Sequence, residues 1–297
     1  MISVVIPSYN SENTIAACLC ALKGQSYQGP YEIILVDSST DKTPRIVTDD
    51  YPDIRFTHLD RKTDPGTARN MGVRIAKGEL IAFIDSDCVA AHDWLERIAD
   101  THLSGYDAVG GGVCFGNSGS DPVAWAGYMA EFREFLPCGP SREVLHIPTC
   151  NISYKKRIFD KYGAFNGKYY PQEDLVYNYN LHKQGERILF NPEILVYHRH
   201  RSKMIDFLKH QRRIGKITSR VLKQIDLEGA FVVRKPYWGG LFVPLLPLVK
   251  FFRTINAFLR GCPGAMTKHP LVLLCFWIGL LFWAWGFGQG LYGKKLT

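Results

Sequence analysis

Over the first hundred residues, short apolar runs alternate with stretches whose apolar positions recur every three or four residues. Ile2–Ile6, Glu32–Val36, Ile54–His58 and Leu80–Ile84 read as strands, with helices between them at Ser11–Lys23, Lys42–Asp50 and Pro65–Lys77. Strand–helix alternation of this kind predicts right-handed crossovers and a mainly parallel sheet covered on both faces, an open α/β fold. Such folds bind ligands beyond the carboxyl ends of their strands. The conspicuous polar residues fall there: Tyr9-Asn10 after the first strand, Asp37 at the end of the second, and Asp85-Ser86-Asp87 after the fourth.

From Gly105 to about Pro148 the chain is richer in glycine and loops, and periodicity assigns no element; Gly110, Gly111 and Gly112 read as a flexible turn. A second alternating portion follows, with strands at Asn151–Tyr154 and Ile194–His198 and a helix at Asp174–Lys183. From Asp206 to Ile225, Phe207, Ile214, Ile217, Val221 and Ile225 mark one apolar stripe among six Lys and Arg residues, a basic amphipathic helix. Beyond it, Tyr237–Leu259 is apolar but interrupted by Lys250, Arg253 and two prolines. Pro270–Tyr292 carries no charge, and as a helix it would reach roughly 34 Å, enough for a bilayer core. The expected organisation is therefore a catalytic domain over residues 1–203, a basic interfacial region over 204–235, and a membrane-associated or transmembrane region over 236–297.

Charge sharpens that division. Eleven Lys and Arg against three acids between Arg199 and Lys235 account for the whole net charge of +8. No nucleic-acid-binding motif accompanies this basicity, and the basic helix leads directly into apolar sequence, so an anionic membrane surface is the expected partner and nucleic acid is not. The first residues start as a strand and not as a signal peptide. The eight cysteines show neither CxxC pairs nor a dense framework, so free thiols in a reducing compartment are expected.

Two carboxylates one residue apart at a strand end, Asp85 and Asp87, can share a hard divalent cation with a diphosphate. Read with its neighbours, this element resembles the family 2 glycosyltransferases of the GT-A fold. Val4-Val5-Ile6-Pro7-Ser8-Tyr9-Asn10 opens the domain, followed by Val36-Asp37-Ser38-Ser39-Thr40-Asp41, Gly66-Thr67-Ala68-Arg69-Asn70-Met71-Gly72 and Asp85-Ser86-Asp87, in the family's order and spacing over roughly the first 200 residues. The second motif is one residue shorter than the commoner Val-Asp-Asp-Gly-Ser-Thr-Asp, a difference that bears on Asp41 more than on Asp37.

The resemblance implies a nucleotide-sugar donor, a UDP- or GDP-sugar, whose nucleoside lies against Pro7 and Tyr9 with Asp37 accepting from the base. Arg69 offers a planar fork to phosphate or to Asp85. Pro171-Gln172-Glu173-Asp174-Leu175 resembles the family's acidic motif. It implies that Asp174 removes the acceptor proton in an inverting transfer, with Glu173 the alternative base. The resemblance also implies a histidine completing a Mn²⁺ or Mg²⁺ shell with Asp85 and Asp87: His198 first, His200 second. Thr149-Cys150-Asn151-Ile152 resembles a segment near the donor sugar and makes Asn151 a candidate.

The expectation is transfer of a single sugar to an acceptor that is lipid-linked or another glycan, on the cytoplasmic face of a membrane. The segment Gln211-Arg212-Arg213-Ile214-Gly215 lacks the Arg-Trp of the processive polysaccharide synthases, the first alternative. A nucleotidyltransferase would carry a Gly-rich basic loop after the first strand, where Pro7-Ser8-Tyr9-Asn10 stands instead. A non-catalytic sugar-nucleotide binder is the other alternative; release of nucleoside diphosphate separates it from an enzyme.

Overall fold

The computed structural model describes residues 1–234, 236–263 and 270–293; Lys294 and Lys295, which bear on the sidedness of the C-terminus, lie outside the described residues. By contacts the chain divides into two units, one formed by residues 1–116 with 137–198, the other by 117–136 with 199–297. The first unit ends at His198, ahead of the expected boundary at residue 203, and residues 117–136, from the middle of the expected first domain, belong to the second unit.

In chain order the first unit contains β1 (Ile2–Ser8), α1 (Ile15–Lys23), β2 (Tyr31–Asp37), α2 (Thr43–Asp50), β3 (Arg55–His58), α3 (Pro65–Ile75), β4 (Leu80–Phe83), β5 (Cys88–Ala90), α4 (Trp94–His102) and β6 (Ala108–Phe115). After α5 (Pro122–Phe132), which belongs to the other unit, come β7 (Arg142–Val144), β8 (Ile152–Lys155), α6 (Arg157–Tyr162), α7 (Glu173–Lys183) and β9 (Ile188–His198). The sheet runs β3-β2-β1-β4-β8-β6-β9-β5, with β7 also paired to β9. β1 is parallel to β2 and β4, β2 to β3, and β6 to β9, whereas β8 opposes both β4 and β6. Two reversals through β8 leave β6 and β9 running with β1–β4. The sheet is mixed but mostly parallel, and Ser8, Asp37, His58 and the C-terminus of β9 at His198 all reach the same edge.

Local chemistry explains the boundaries. Asp64 caps α3 by accepting from Thr67 N at 3.0 Å, and Pro65, which has no N–H to satisfy, takes the first turn. α1 starts at Ile15, later than the pattern predicts, because Ser11–Thr14 forms a turn closed by Thr14 N to Ser11 O. β9 starts six residues before the predicted Ile194. Asn191-Pro192-Glu193 breaks the apolar run, and a register shift opposite Gly111 and Gly112 absorbs the irregularity.

The glycine triplet is not a flexible turn. Gly110 and Gly111 lie in the buried middle of β6, where a Cβ would collide with the carbonyl oxygens of Asn151 and Ile194 respectively, and a Cβ on Gly112 would meet Pro137. Glycine is required there by the closeness of neighbouring backbone.

In the second unit, α5 is capped by Asp121, whose Oδ1 accepts from Val123 N and Ala124 N. Its sequence, Pro-Val-Ala-Trp-Ala-Gly-Tyr-Met-Ala-Glu-Phe, is apolar nearly all round, so periodicity could not find it. The basic helix is α8 (Met204–Val221), followed by α9 (Ala230–Arg234), α10 (Pro236–Phe242), α11 (Leu246–Gly261) and α12 (Pro270–Leu291). The apolar stretch predicted over Tyr237–Leu259 is divided between α10 and α11 by a short 3-10 turn at Val243–Leu245, where Pro244 lies. Trp283, Phe287 and Leu291 of α12 form a core with Leu222, Val232 and Val233.

Candidate active site

The site forms at the sheet edge where β1, β2, β3, β4 and β9 end. α3 supplies its cation. Gly72 faces β1 so closely that a Cβ would overlap Val5, and this seats the helix on the sheet. Asn70 exchanges two hydrogen bonds with the backbone of Phe165, at 2.8 and 2.9 Å, tying α3 to the segment before α7. Arg69, buried between these two ties, divides its fork: Nη2 donates to Asp85 Oδ1 at 2.6 Å and Nη1 to Glu173 Oε1 at 2.8 Å. Thr67, Asn70 and Gly72 of the motif thus fix the helix that carries Arg69 to two carboxylates from separate parts of the chain.

The two acids at the start of α7 differ. Glu173 is 4% exposed, and its Oε2 has no hydrogen-bond partner among the described residues. Burial pushes its carboxyl up to about 7, against the pull of Arg69, and neighbouring Asp174 adds to the rise. Asp174 is half-buried, and its Oδ2 accepts from Thr149 N at 3.0 Å and Thr149 Oγ1 at 3.3 Å. Its orientation is therefore set by Thr149-Cys150, the segment singled out in the sequence for another reason.

Asp87 and His198 come together. β5 pairs antiparallel with β9 so that Cys88 faces His198, and His198 Nε2 lies 3.6 Å from Asp87 Oδ1. One ligand atom from each of Asp87, Cys88 and His198 fits within 4.8 Å of the others. A carboxylate beside an imidazole suits Mn²⁺ better than Mg²⁺, which favours oxygen ligands. The Cys88 thiol is a poor addition, since burial first, then Cys150, Asp87 and Asp85, push it well above its ordinary range and keep it protonated. His200 packs in the second unit against the rings of Tyr128 and Phe132, at centroid distances of 5.7 and 5.5 Å. Asp85 is engaged by Arg69, and its loop is braced by Ser11 Oγ and Ser86 Oγ at 2.7 Å.

On the nucleoside side, Tyr9 is 38% exposed, and Lys62 Nζ stands 3.8 Å from its ring centroid. Pro7 is buried within β1 opposite Val36. Asp37 is wholly buried; Oδ2 accepts from Ser39 N at 3.0 Å and lies 2.8 Å from His58 Nδ1, while Oδ1 accepts from Ser39 Oγ at 2.5 Å. Asp41 accepts from the N–H and hydroxyl of Thr43 and from Glu12 N, so in the shortened motif it holds the turn that precedes α2 to the start of that helix. Asn151 is fully enclosed: Nδ2 donates to Gly112 O and Ile194 O, and Oδ1 accepts from Trp94 Nε1, so its side chain clamps strands together. His58 and Lys62 were missed in the sequence. His58 ends a strand on the ligand-binding edge, and that position alone could have flagged it.

Residues 3–163 match the profile of Glycosyl transferase family 2, more than half of the chain. The chain belongs to that family. The "Glycosyltransferase AglE" of Haloferax volcanii is 28% identical over 243 residues, covering 78% of each chain. The "Glucosyl-dolichyl phosphate glucuronosyltransferase" of the same organism is 26% identical over 222 residues, 67% of this chain and 69% of the relative. Among solved structures, the mannosyltransferase PcManGT from Pyrobaculum calidifontis, in complex with GDP-Man and Mn²⁺, superposes with a TM-score of 0.62 at 18% identity over 99% of this chain and 88% of that one. TarS 1–349 of S. aureus with UDP-GlcNAc gives 0.54 at 19% identity, covering 93% and 89%. At these identities the two structures show the GT-A fold. The family match makes the protein a nucleotide-sugar-dependent glycosyltransferase.

Proposed function

We propose that this glycosyltransferase is metal-dependent and inverting, and that it transfers one sugar from a UDP- or GDP-sugar to a lipid-linked or glycan acceptor at the cytoplasmic face of a membrane. The observation that carries the reading is the convergence of Asp87 with His198, and of Arg69 with Asp85 and Glu173, on the edge where Asp174 is partly open. Asp87 and His198 would hold the divalent cation, with Asp85 beside them. Once bound, that cation neutralises charge gathering on the departing diphosphate. The likeness to proteins that bind GDP-Man with Mn²⁺ or UDP-GlcNAc, and to a relative named for a dolichyl phosphate substrate, supports the donor, metal and acceptor classes.

Asp174 accepts the acceptor's hydroxyl proton while that oxygen attacks the anomeric carbon opposite the diphosphate. A carbon–oxygen bond forms to the acceptor as the bond to the diphosphate breaks, its electron pair leaving with the nucleoside diphosphate. No covalent enzyme intermediate is required, and inversion follows. The choice of Asp174 over Glu173 rests on access: Glu173 is enclosed and bonded to Arg69, whereas Asp174 is half-buried with its carboxylate fixed by Thr149. Tyr9 offers a face for the base, and Lys62 places a positive charge over that ring.

Membrane attachment is supported by two described helical stretches long and apolar enough to cross a bilayer, Gly239–Gly261 and Leu271–Leu291, next to the basic α8. The test is turnover with candidate donors and a polyprenyl phosphate or its sugar-bearing form in vesicles, with and without chelator. Metal-dependent transfer to the lipid supports the reading. Donor binding without release of nucleoside diphosphate would favour the non-catalytic alternative, and successive addition of many sugars the processive one.

A further inference from the structure

Length and composition allow α12 to cross a bilayer; its packing points elsewhere. α8 and α12 run side by side in the same direction. Near the start of α8, Phe207 fills the space a side chain at Gly279 would need. Further along, Gly215 meets the backbone of Trp283 and Phe287, Gly286 meets the backbone of Arg212, and Gly290 meets Lys216 and Ser219. At the far end Lys223 Nζ donates to Gly290 O at 3.2 Å and Gly293 O at 2.8 Å, placing a cation at the carbonyl end of α12. The two helices are thus in contact over about 20 Å, backbone against backbone where Arg212–Lys216 meets Trp283–Gly290, and they cannot occupy different depths. Nor can α12 be turned across a membrane without α8.

α8 is not a helix for hydrocarbon. Lys209 and Arg213 are exposed on it, and Arg212 stacks over Trp285 at 3.8 Å while its Nε donates to Gln289 at 3.1 Å. A crossing orientation would carry this row of cations through the bilayer core, where charges are strongly disfavoured. Its apolar stripe is already covered in part by α12, with Phe207 against Gly279 and Ile214 against the cluster of Trp283, Phe287 and Leu291. The apolar surface left uncovered is elsewhere: Leu271, Leu274, Leu281 and Trp285 form one exposed stripe on α12. Leu248, Val249, Phe252 and Leu259 form another on α11, which abuts α12 through Phe251 against Phe276 and Trp277. Of the two charges that interrupt the α11 sequence, Lys250 folds over the Trp283 ring at 3.9 Å and Arg253 pairs with Glu228 at 2.7 Å.

We propose that this unit is monotopic: α11 and α12 lie in the plane of one leaflet of an anionic phospholipid bilayer, and neither helix reaches the opposite face. The exposed apolar stripes enter the acyl region, and α8, joined to α12 along its length, stays level with the headgroups, where its cations meet lipid phosphate. The Arg212–Trp285 pair marks the boundary between the two regions, as amphipathic side chains do at a membrane surface. Amphipathic exposure, a basic companion helix and an apolar surface on two adjacent helices fit a lipid leaflet better than a second copy of this chain, which would have to face the same cations. This inference rests on the membrane reading above and deepens it.

Topology decides it. Short Gly/Ser spacers carrying one cysteine each are placed after Cys262, between α11 and α12, and after Thr297, in separate full-length proteins. Membranes containing each protein are prepared as inverted and right-side-out vesicles and treated with a membrane-impermeant maleimide, and peptide mass mapping assigns the label. Native Cys20, exposed on the first unit, reports the catalytic side. The monotopic arrangement predicts that both spacers label only where Cys20 labels. A Cys262 spacer labelled from the opposite side with the C-terminal spacer on the Cys20 side means two crossings, and a C-terminal spacer labelled from the opposite side means one; either result overturns the inference while leaving membrane attachment intact. A protein that does not float with vesicles of phosphatidylglycerol and phosphatidylethanolamine, or that floats only as a soluble oligomer's contaminant removed by washing, overturns both readings.

Discussion

His198 Nε2 and Asp87 Oδ1 stand 3.6 Å apart because β5 and β9 pair antiparallel with Cys88 opposite His198. The sheet register, not sequence proximity, creates the candidate metal site. Asp87→Ala is expected to abolish transfer, and His198→Ala to raise the Mn²⁺ concentration needed for half-maximal rate while the protein melts near the wild-type temperature. Titrating Mn²⁺ against rate and melting in parallel checks this. An unfolded His198→Ala protein that no Mn²⁺ concentration rescues would make the histidine structural.

Arg69 carries a structural load that can be separated from chemistry. Arg69→Ala leaves Glu173 buried without its cation, and breaking such a pair is expected to cost about 3–5 kcal/mol in urea denaturation. Adding Glu173→Gln to Arg69→Ala should recover part of the loss, because the uncompensated charge is gone. Strictly additive losses would show that the 2.8 Å contact contributes no coupling.

Glu173 also sets a pH dependence. Its carboxyl is raised from 4.5 to about 7, mainly by burial, so the native state holds a proton that the unfolded chain has released between those values. The stabilisation from this group is fully present below about 4.5 and is lost as pH rises through about 7. Thermal melts of wild type and Glu173→Gln across this window should show the difference between them shifting in favour of Gln as pH rises. A difference that is flat through pH 7 would mean that Arg69 holds Glu173 ionised throughout.

Asp174→Asn preserves shape and the contact with Thr149 but removes the base. Transfer should fall by roughly 10²–10⁴-fold, with donor affinity by calorimetry unchanged. Undiminished turnover in Asp174→Asn would move the base to Glu173.

Much of the site was legible because each motif ends a strand or starts a helix, where local chemistry dictates geometry. Asp85, Asp87 and Arg69 follow from one α/β pattern and one helix start. Other features depended on long-range register that no local pattern encodes. The pairing of Arg69 with Glu173, the hold of Thr149 on Asp174 and the approach of His58 to Asp37 all join distant segments. α5 was invisible because it is apolar on nearly every side, and the glycines of β6 looked like a turn because their reason lies in neighbouring backbone. The tail showed the opposite difficulty. Its composition raised the expectation of a membrane, whereas the contact of Gly215, Gly286 and Gly290 across α8 and α12, on which the proposed monotopic arrangement rests, joins residues about seventy apart.

The most direct test of the central claim is a single NMR experiment following UDP-, GDP- and dTDP-sugars with acceptor and Mn²⁺, reading nucleoside diphosphate release and the anomeric configuration of the product together. The account predicts turnover of one donor class, silenced by chelator and by Asp174→Asn, with the product's configuration opposite to the donor's. Full turnover in excess chelator, or a product that retains the donor's configuration, would contradict it.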